Sequence, residues 1–266
     1  MKYIIAIDSD GTLRRTDGTI SNFTKMVIKK QIAKENIVVI CTARPRYHTQ
    51  KISSEVGADS FMISSNGSEI YDVNKKKIIW AKYIDRKSCK LLYDYAMLNN
   101  IRIMFVLENT EYVTQFTRND DQVLLTKDNF YEVINNKIKQ VMVIGKEKDK
   151  INMFKEKVQN EYKMNILDSS KEDSKETWFS VVSKDASKGI AILKLAEYLN
   201  ISKENIIAIG NDSNDISMFK VAKISAAVSN SPKNVLEKAK YKIKSNDEDG
   251  VAIFLNELDL LKKVED

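Results

Sequence analysis

Two carboxylates one residue apart, Asp8 and Asp10, are the side chains of this sequence best suited to chemistry. They end an apolar run typical of a buried parallel strand, which we predict over residues 4–8. Because side chains alternate along an extended backbone, we expect both carboxylates to point the same way. Such a pair offers the hard oxygen ligands that Mg²⁺ prefers, and one carboxylate could attack phosphorus as a nucleophile. The alternative is a plain strand followed by an Asp-Gly turn at Gly11.

Two further polar positions follow a strand or open a helix. Thr42 comes directly after a β-branched run over residues 37–41, and its hydroxyl could donate to a phosphate oxygen, with Arg44 supporting the anion. Lys188 lies in the first turn of a helix predicted over residues 187–199, where a cation and the helix amides both favour phosphate. The alternatives are a threonine that caps a helix and a lysine that is solvated.

A dense cluster of oxygen-bearing side chains follows a fourth apolar run, over residues 206–209. Gly210 permits a turn, and the residues from Asn211 to Asp215 then precede a helix. Such clusters bind hard cations, although Asp215 could also be an ordinary helix N-cap. Ligands bind at the carboxyl edge of open parallel sheets, so we expect all four segments to meet there.

The order of predicted elements indicates an α/β fold with an insertion. Strands and helices alternate over residues 1–80 and again over 186–266, which is typical of a parallel sheet covered by helices. Residues 81–185 instead combine helices with short strands and a charged loop over residues 169–176, as in an α+β unit with an antiparallel sheet. We therefore predict one Rossmann-like core, residues 1–80 and 186–266, interrupted by a second domain over residues 81–185.

The composition is that of a folded protein with a modest basic excess. The 266 residues carry 43 Lys and Arg against 37 Asp and Glu, and the net charge of +6 is spread in short runs. Without a zinc, helix-turn-helix or RNP-like signature, we expect a small anionic substrate rather than nucleic acid. Two cysteines, Cys41 and Cys89, and no apolar run of membrane-spanning length indicate a cytoplasmic protein without a membrane partner. The single histidine, His48, argues against a His-based hydrolase.

In this order and spacing, the four segments resemble the haloacid dehalogenase superfamily of phosphotransferases. The matching motifs are Asp-x-Asp-Gly-Thr at residues 8–12, a strand-end threonine at Thr42, Ser-Lys-Gly at residues 187–189 and Gly-x-x-x-Asn-Asp at residues 210–215. The insertion after the second motif is similar to that of the Cof-type (class IIB) sugar phosphatases. Residues 64–72 also resemble the turn that precedes the cap of those enzymes.

The resemblance implies an aspartyl-phosphate mechanism and a cap domain over residues 81–185. Asp8 would be the nucleophile, and Asp10 would protonate the leaving alkoxide and then activate water. Thr42 and Lys188 would hold the phosphoryl oxygens. The implied substrate contacts are Thr42, Ala43, Arg44, Lys188 and Asn214, and the implied Mg²⁺ ligands are Asp8, the Asp10 carbonyl, Asn211 and Asp215.

Two positions depart from the family pattern. Asn211 stands where the fourth motif usually has its first aspartate, so the Mg²⁺ site loses a formal charge, and the neighbouring Asp212 is an alternative ligand. Ala43 stands where a glycine usually follows the strand-end threonine, which could alter the loop at Arg44.

The expected function is a Mg²⁺-dependent phosphatase of small phosphorylated metabolites, with sugar phosphates the first expectation. The alternatives are a phosphomutase on the same scaffold and a protein that binds phosphate ligands without turnover. Asn109, Glu111 and Arg118 are candidate substrate contacts, because they lie near predicted turns of the insertion. The sequence leaves the physiological substrate and the oligomeric state open.

Overall fold

A computed structural model describes residues 2–116, 122–168 and 176–265 of the chain. Arg118 and most of the predicted loop over residues 169–176 lie outside the described residues. The strands are β1 Ile4–Ile7, β2 Ile37–Cys41, β3 Phe61–Ser64, β4 Glu69–Asp72, β5 Lys77–Ala81, β6 Arg102–Val106, β7 Glu111–Val113, β8 Gln122–Leu124, β9 Gln140–Gly145, β10 Asn165–Asp168, β11 Thr177–Val182, β12 Ile206–Gly210, β13 Ile224–Val228 and β14 Tyr241–Ile243. The helices are α1 Asn22–Ala33, α2 Arg46–Val56, α3 Arg86–Leu98, α4 Lys127–Val133, α5 Lys148–Asn160, α6 Lys188–Leu199, α7 Ile216–Val221, α8 Lys233–Leu236 and α9 Gly250–Glu265.

The first sheet has the strand order β14-β13-β12-β1-β2-β3-β4-β5. Its strands are parallel from β14 to β3, and β4 and β5 then add an antiparallel edge. Ile4 of β1 pairs with Ile206 of β12 on one side and with Ile37 of β2 on the other. The three central strands therefore run in register, and the residues that follow them meet at one edge of the sheet.

Alternate residues of β1 pack against helices on opposite faces of this sheet. Ile5 and Ile7 belong to a buried cluster that includes Ile28 of α1. Ile4 belongs to a second cluster that includes Ile192 of α6. Both faces are covered, as parallel sheets require, and the strand ends are held in a rigid layer.

The second sheet has the strand order β10-β11-β9-β6-β7-β8, and all its pairs are antiparallel except β7 with β8. Leu92, Phe130 and Phe154, from α3, α4 and α5, belong to the large apolar cluster of this unit. A separate small apolar cluster is formed by residues of β6, β7 and β9, namely Met104, Val106, Val113 and Met142. The sheet thus has one face packed by helices and one face with a cluster of its own.

The sequence patterns do not predict α2, β5, β8 or β14. They predict a helix over residues 233–240, which is α8, but that helix ends at Leu236. Among the residues of α2, the fully buried apolar ones are Ile52 and Val56, so its periodic signal is weak. Val235 is the one buried residue of the predicted span 233–240, so the apolar pattern does not continue past Leu236, and the chain then forms β14. Within the described ranges, no helix is long and apolar enough to cross a membrane.

Candidate active site

The four polar segments of the sequence come together at the carboxyl edge of the first sheet. Asp8 follows β1, Thr42 follows β2 and Asn211 follows β12, and these three strands are neighbours in the parallel order. The Asp8 backbone N–H donates to the carbonyl of Ile209 at 2.9 Å, which continues the ladder to the strand end. The predicted meeting of these segments follows from the parallel register.

Lys188 lies between two buried carboxylates at this edge. Its Nζ is 2.6 Å from Asp8 Oδ1 and 2.6 Å from Asp215 Oδ1, and the lysine side chain is fully buried. The N-cap Ser187 accepts a hydrogen bond from the N–H of Ile190, which begins α6 at this point. A cation at the helix N-terminus makes the site suited to a phosphoryl group.

Close backbone approach places α6 against its neighbours. A Cβ at Gly189 would come within 2.1 Å of the carbonyl oxygen of Ser217, and one at Gly67 would come within 2.2 Å of the carbonyl oxygen of Ser187. Gly67 also has a φ of +84°, which glycine adopts without strain. These two glycines let α6 bring Lys188 to the sheet edge.

Burial and charge act in opposite directions on the two groups of the Asp8–Lys188 pair. Burial raises the pKa of Asp8 to about 7, against the lowering by Lys188. Burial alone would lower the pKa of Lys188, but attraction to Asp215 and Asp8 outweighs it and raises that pKa. Lys188 is therefore a permanent cation, and a further positive charge beside Asp8 would favour its ionised form.

Asp10 has different partners from Asp8. Its carboxylate accepts hydrogen bonds from Arg44 Nε at 2.5 Å and Arg44 Nη2 at 2.8 Å, and it lies 3.1 Å from Arg14 Nη1. The strand ends before Asp8, and Gly11 turns the chain with a φ of +78°, so the alternation of side chains stops there. Burial raises the pKa of Asp10, but the hydrogen bonds and charge of Arg44 outweigh it, and the pKa lies below its ordinary value.

Three oxygen-bearing groups converge beside Asp8. The side-chain amide of Asn211 lies 3.1 Å from both Asp8 Oδ2 and the main-chain oxygen of Asp10. The amide either donates to these oxygens through its NH₂ group or shares a cation with them through its oxygen. Carboxylate, carbonyl and amide oxygens are the hard donors that suit Mg²⁺, so these residues fit that ion. No cluster of three His, Cys, Asp or Glu ligands occurs among the described residues, so the fit rests on this mixed set.

The other acidic residues of the fourth motif have separate structural partners. Asp215 Oδ2 accepts from the N–H groups of Asn211 at 2.8 Å and Asp212 at 3.0 Å, while its Oδ1 faces Lys188. The Asp212 carboxylate accepts from the N–H of Ser213 at 2.6 Å. Of the two residues that the sequence left as alternatives, Asn211 is therefore the one beside Asp8 and Asp10. Asp215 orients both the loop and the lysine.

The remaining predicted contacts line the same edge. Thr42 Oγ1 is 2.7 Å from Ser9 Oγ, and the half-buried Ala43 separates it from Arg44. Asn214 donates from Nδ2 to Asn66 Oδ1 at 2.9 Å, and its own buried Oδ1 has no hydrogen-bond partner among the described residues. The site includes all the residues that the sequence nominated at this edge.

Sequence reasoning missed three residues of this site. Ser9 bridges the first two motifs, since its hydroxyl donates to Asp10 at 3.0 Å and meets Thr42. Arg14 pairs with Asp10, and Asn66 receives the hydrogen bond of Asn214. The only available signal was the Asn-Gly pair at residues 66–67, which predicts a turn without naming its partner.

The second sheet contacts the first unit close to this edge. Asn66 Nδ2 donates to Gln140 Oε1 of β9 at 3.1 Å. Lys139 forms a buried ion pair with Glu69 of β4. Arg46, at the start of α2, pairs with Glu108 in the β6–β7 turn. These contacts hold the second sheet beside the strand ends.

The whole chain is similar to a known family of hydrolases. A family model described as haloacid dehalogenase-like hydrolase matches residues 5–255. The 5-amino-6-(5-phospho-D-ribitylamino)uracil phosphatase YwtE of Bacillus subtilis is 26% identical over 286 residues, which cover 96% of this chain and 97% of that protein. YcsE, a protein of the same organism with the same enzyme name, is 28% identical over 249 residues, which cover 94% of this chain and 92% of YcsE.

Solved structures agree with the fold. A haloacid dehalogenase-like hydrolase from B. subtilis has a TM-score of 0.86 at 22% identity and covers 96% of this chain and 99% of its own. A subclass IIB sugar phosphatase of the same superfamily has a TM-score of 0.82 at 20% identity and covers 96% and 98%. The predicted α/β architecture is confirmed. The chain belongs to the haloacid dehalogenase-like hydrolase family.

Proposed function

We propose that the protein is a Mg²⁺-dependent phosphatase that hydrolyses small phosphorylated metabolites through an aspartyl-phosphate on Asp8. The observation that carries this proposal is the position of Asp8, with one oxygen on the buried Lys188 and the other beside the amide of Asn211. A carboxylate held by a fixed cation at a helix N-terminus can act as a nucleophile toward an anionic phosphoryl group.

In the first step, an Asp8 oxygen attacks phosphorus, and the bond from phosphorus to the leaving oxygen breaks. Asp10 gives its proton to that oxygen, so the alcohol leaves neutral. In the second step, Asp10 takes a proton from water, the water oxygen attacks phosphorus, and the bond to Asp8 breaks. Inorganic phosphate and the free Asp8 carboxylate result.

Thr42 and Lys188 support these steps by holding the phosphoryl oxygens. Arg44 presents two donors to Asp10, Nε and Nη2, and the same pair of donors suits a phosphoryl group. When the substrate draws Arg44 away, Asp10 loses the hydrogen bonds and the charge that lower its pKa, so more of its carboxyl carries the proton that the leaving oxygen needs.

The residues that would hold the metal are Asp8, Asp10 through its carbonyl, and Asn211 through its amide oxygen. Mg²⁺ at this position would neutralise charge on the transferring phosphoryl group. Asp215 positions Lys188 and the loop that carries Asn211, because one of its oxygens accepts from Lys188 and the other from the N–H groups of the loop.

We propose that residues 81–185 form a cap domain that covers the substrate, and that residues 1–80 and 186–266 form the core. The relatives named above act on a phosphorylated ribityl compound, which supports a phosphorylated sugar or polyol as the first substrate class to test. The two cysteines, both buried and free, agree with a reducing compartment, the cytoplasm.

The test is hydrolysis of p-nitrophenyl phosphate and a panel of sugar, polyol and nucleotide phosphates with Mg²⁺. We expect phosphate release that stops in Asp8→Asn and continues in Asp17→Asn, a control at an exposed loop aspartate bonded to Thr19. Transfer of phosphate to a second sugar phosphate without release would identify a mutase. Binding without turnover by the folded, Mg²⁺-loaded protein would contradict the proposal.

A further inference from the structure

The turn between β3 and β4 has an unusual backbone. Ser65, Asn66 and Gly67 have φ angles of +48°, +57° and +84°, so all three lie in the left-handed region. Glycine adopts this region without strain, but serine and asparagine reach it at a cost. The buried hydroxyl of Ser65 has no hydrogen-bond partner among the described residues, so it does not offset that cost. The surroundings of this segment, which we call the left-handed turn, must therefore hold it in place.

The main chain of the left-handed turn is bonded to the second motif. The N–H of Ser65 donates to the carbonyl of Arg44 at 2.8 Å. The N–H of Asn66 donates to the carbonyl of Thr42 at 3.0 Å. On the other side, Gly67 packs closely against the start of α6, which carries the third motif. The turn is therefore fixed to both segments that supply phosphate-holding side chains.

The side chain of Asn66 links the fourth motif to the second sheet. It is fully buried, its Oδ1 accepts from Asn214 Nδ2 at 2.9 Å, and its Nδ2 donates to Gln140 Oε1 at 3.1 Å. An amide has one end that accepts and one end that donates. Because Gln140 takes the donating end of Asn66, the accepting end faces Asn214 and fixes the direction of that amide.

The main chain of Asn214 is held independently of Asn66. The Asn214 carbonyl accepts from Ser217 Oγ at 2.9 Å, and the same hydroxyl accepts from the N–H of Gly189 at 3.1 Å. Asn214 is 7% exposed, and its Oδ1 has no partner within the described part of the chain. Asn66 therefore controls the direction of the Asn214 amide rather than the position of the loop.

We propose that Asn66 is a positioning residue that couples the docking of the second sheet to the orientation of the Asn214 amide. With Gln140 in place, Asn66 cannot invert, and Asn214 is ready to contact the phosphoryl group. When the second sheet moves away, Asn66 loses its acceptor, and both amides turn freely. Phosphate then binds less tightly, because the side chains must be ordered during binding. This inference rests on the proposed phosphatase function and assigns the regulation of phosphate binding to the contact between the two sheets.

The test measures kcat, KM and the inhibition constant of inorganic phosphate, with p-nitrophenyl phosphate and Mg²⁺. Asn66→Gly removes the amide but keeps the left-handed backbone, and Gln140→Met replaces the acceptor with an unbranched apolar side chain. We expect each variant to raise KM and the phosphate inhibition constant by about tenfold and to change kcat by less than about twofold, because substrate and transition state lose the same contact. The double variant should match Asn66→Gly alone, since both residues act through one chain of hydrogen bonds.

Two matched controls distinguish positioning from stability. Gln31→Met breaks a buried amide pair of the same kind, in which Asn36 Nδ2 donates to Gln31 Oε1 at 2.9 Å. That pair lies at the amino edge of the sheet, where Asn36 also accepts from the N–H of Tyr3. Asn100→Gly places glycine at another left-handed asparagine, with a φ of +53°. Both controls should leave KM and the phosphate inhibition constant unchanged, even where the melting temperature falls.

Three results would overturn the assignment. Unchanged constants in Asn66→Gly would mean that its amide does not orient the site, and multiplied effects in the double variant would mean that the two residues act separately. An equal rise of KM in Gln31→Met and Gln140→Met would mean a general loss of stability. If the wild type hydrolyses no ester, the phosphatase proposal fails, and calorimetry with inorganic phosphate still tests the coupling. In that case, a dissociation constant that is the same in the wild type and both variants overturns it.

Discussion

The buried ion pair between Lys139 and Glu69 joins the two sheets, and removing one partner should have a large, measurable cost. Lys139 is 1% exposed and Glu69 is fully buried. In Lys139→Met, the Glu69 carboxylate keeps Arg46, whose Nε is 3.7 Å away, as its one cationic partner among the described residues. Breaking a buried pair costs about 3–5 kcal/mol, and the remaining arginine places this case near 3 kcal/mol. The melting temperature should therefore fall by roughly 6–12 °C.

The double variant Lys139→Met/Glu69→Gln distinguishes two causes of destabilisation, the loss of the ion pair and the burial of an unpaired carboxylate. Burial outweighs the pull of Glu69 and lowers the pKa of Lys139, so the charged pair brings little net stability. We expect the double variant to recover most of the loss in a thermal or urea melt. Lys157→Met, which breaks an exposed pair with Glu161, is the control and should leave the melting temperature nearly unchanged. A melting temperature unchanged in Lys139→Met, or no recovery in the double variant, would refute the reasoning.

Three further predictions concern the site. Lys188→Met should abolish phosphate release and should lower the melting temperature more at pH 8 than at pH 5. Without the lysine, the pKa of Asp8 in the folded protein rises further, and the stability linked to a raised carboxyl pKa is lost as the pH rises. An equal fall at both pH values would contradict this. Gly67→Ala should lower the free energy of unfolding by about 2–4 kcal/mol in a urea melt, because the added Cβ meets the Ser187 carbonyl. Gly57→Ala, where the nearest atom lies 3.8 Å from the added Cβ, should lower it by about 1 kcal/mol, and equal losses would be evidence against the close approach. Asn211→Asp should lower the Mg²⁺ concentration for half-maximal activity about tenfold, since a unit charge about 4 Å from another contributes roughly 1–4 kcal/mol. Activity that persists in excess chelator, or an unchanged Mg²⁺ dependence, would count against residue 211 as a ligand.

The strand-end motifs could be predicted from the sequence because a parallel sheet brings its carboxyl ends to one edge. Asp8, Thr42 and Asn211 each follow an apolar run, and neighbouring strands then place them together whatever the details of packing. Lys188 was predictable in the same way, from its place in the first turn of a helix. The residue types at these positions were therefore enough to predict the kind of site.

The partners of these residues could not be predicted, because they depend on turns and on how the two sheets meet. β1 ends at Ile7 and the chain turns at Gly11, so Asp10 lies outside the strand and pairs with Arg44 instead of sharing partners with Asp8. Asn66 and Gln140 are 74 residues apart, and only the position of the second sheet brings them together. Pairing between such distant polar side chains leaves no periodic signal in the sequence.

The most direct test of the central claim is a search for the phosphoryl group on Asp8. Asp10→Asn is mixed with p-nitrophenyl phosphate and Mg²⁺, quenched in acid and examined by intact-protein and peptide mass spectrometry. The nitrophenolate leaves without a proton, but the second step lacks its base, so we predict one added phosphoryl group on the peptide that contains Asp8. The double variant Asp8→Asn/Asp10→Asn should carry none. Phosphate release with a phosphoryl group on another residue, or with Asp8→Asn still active, would contradict the account.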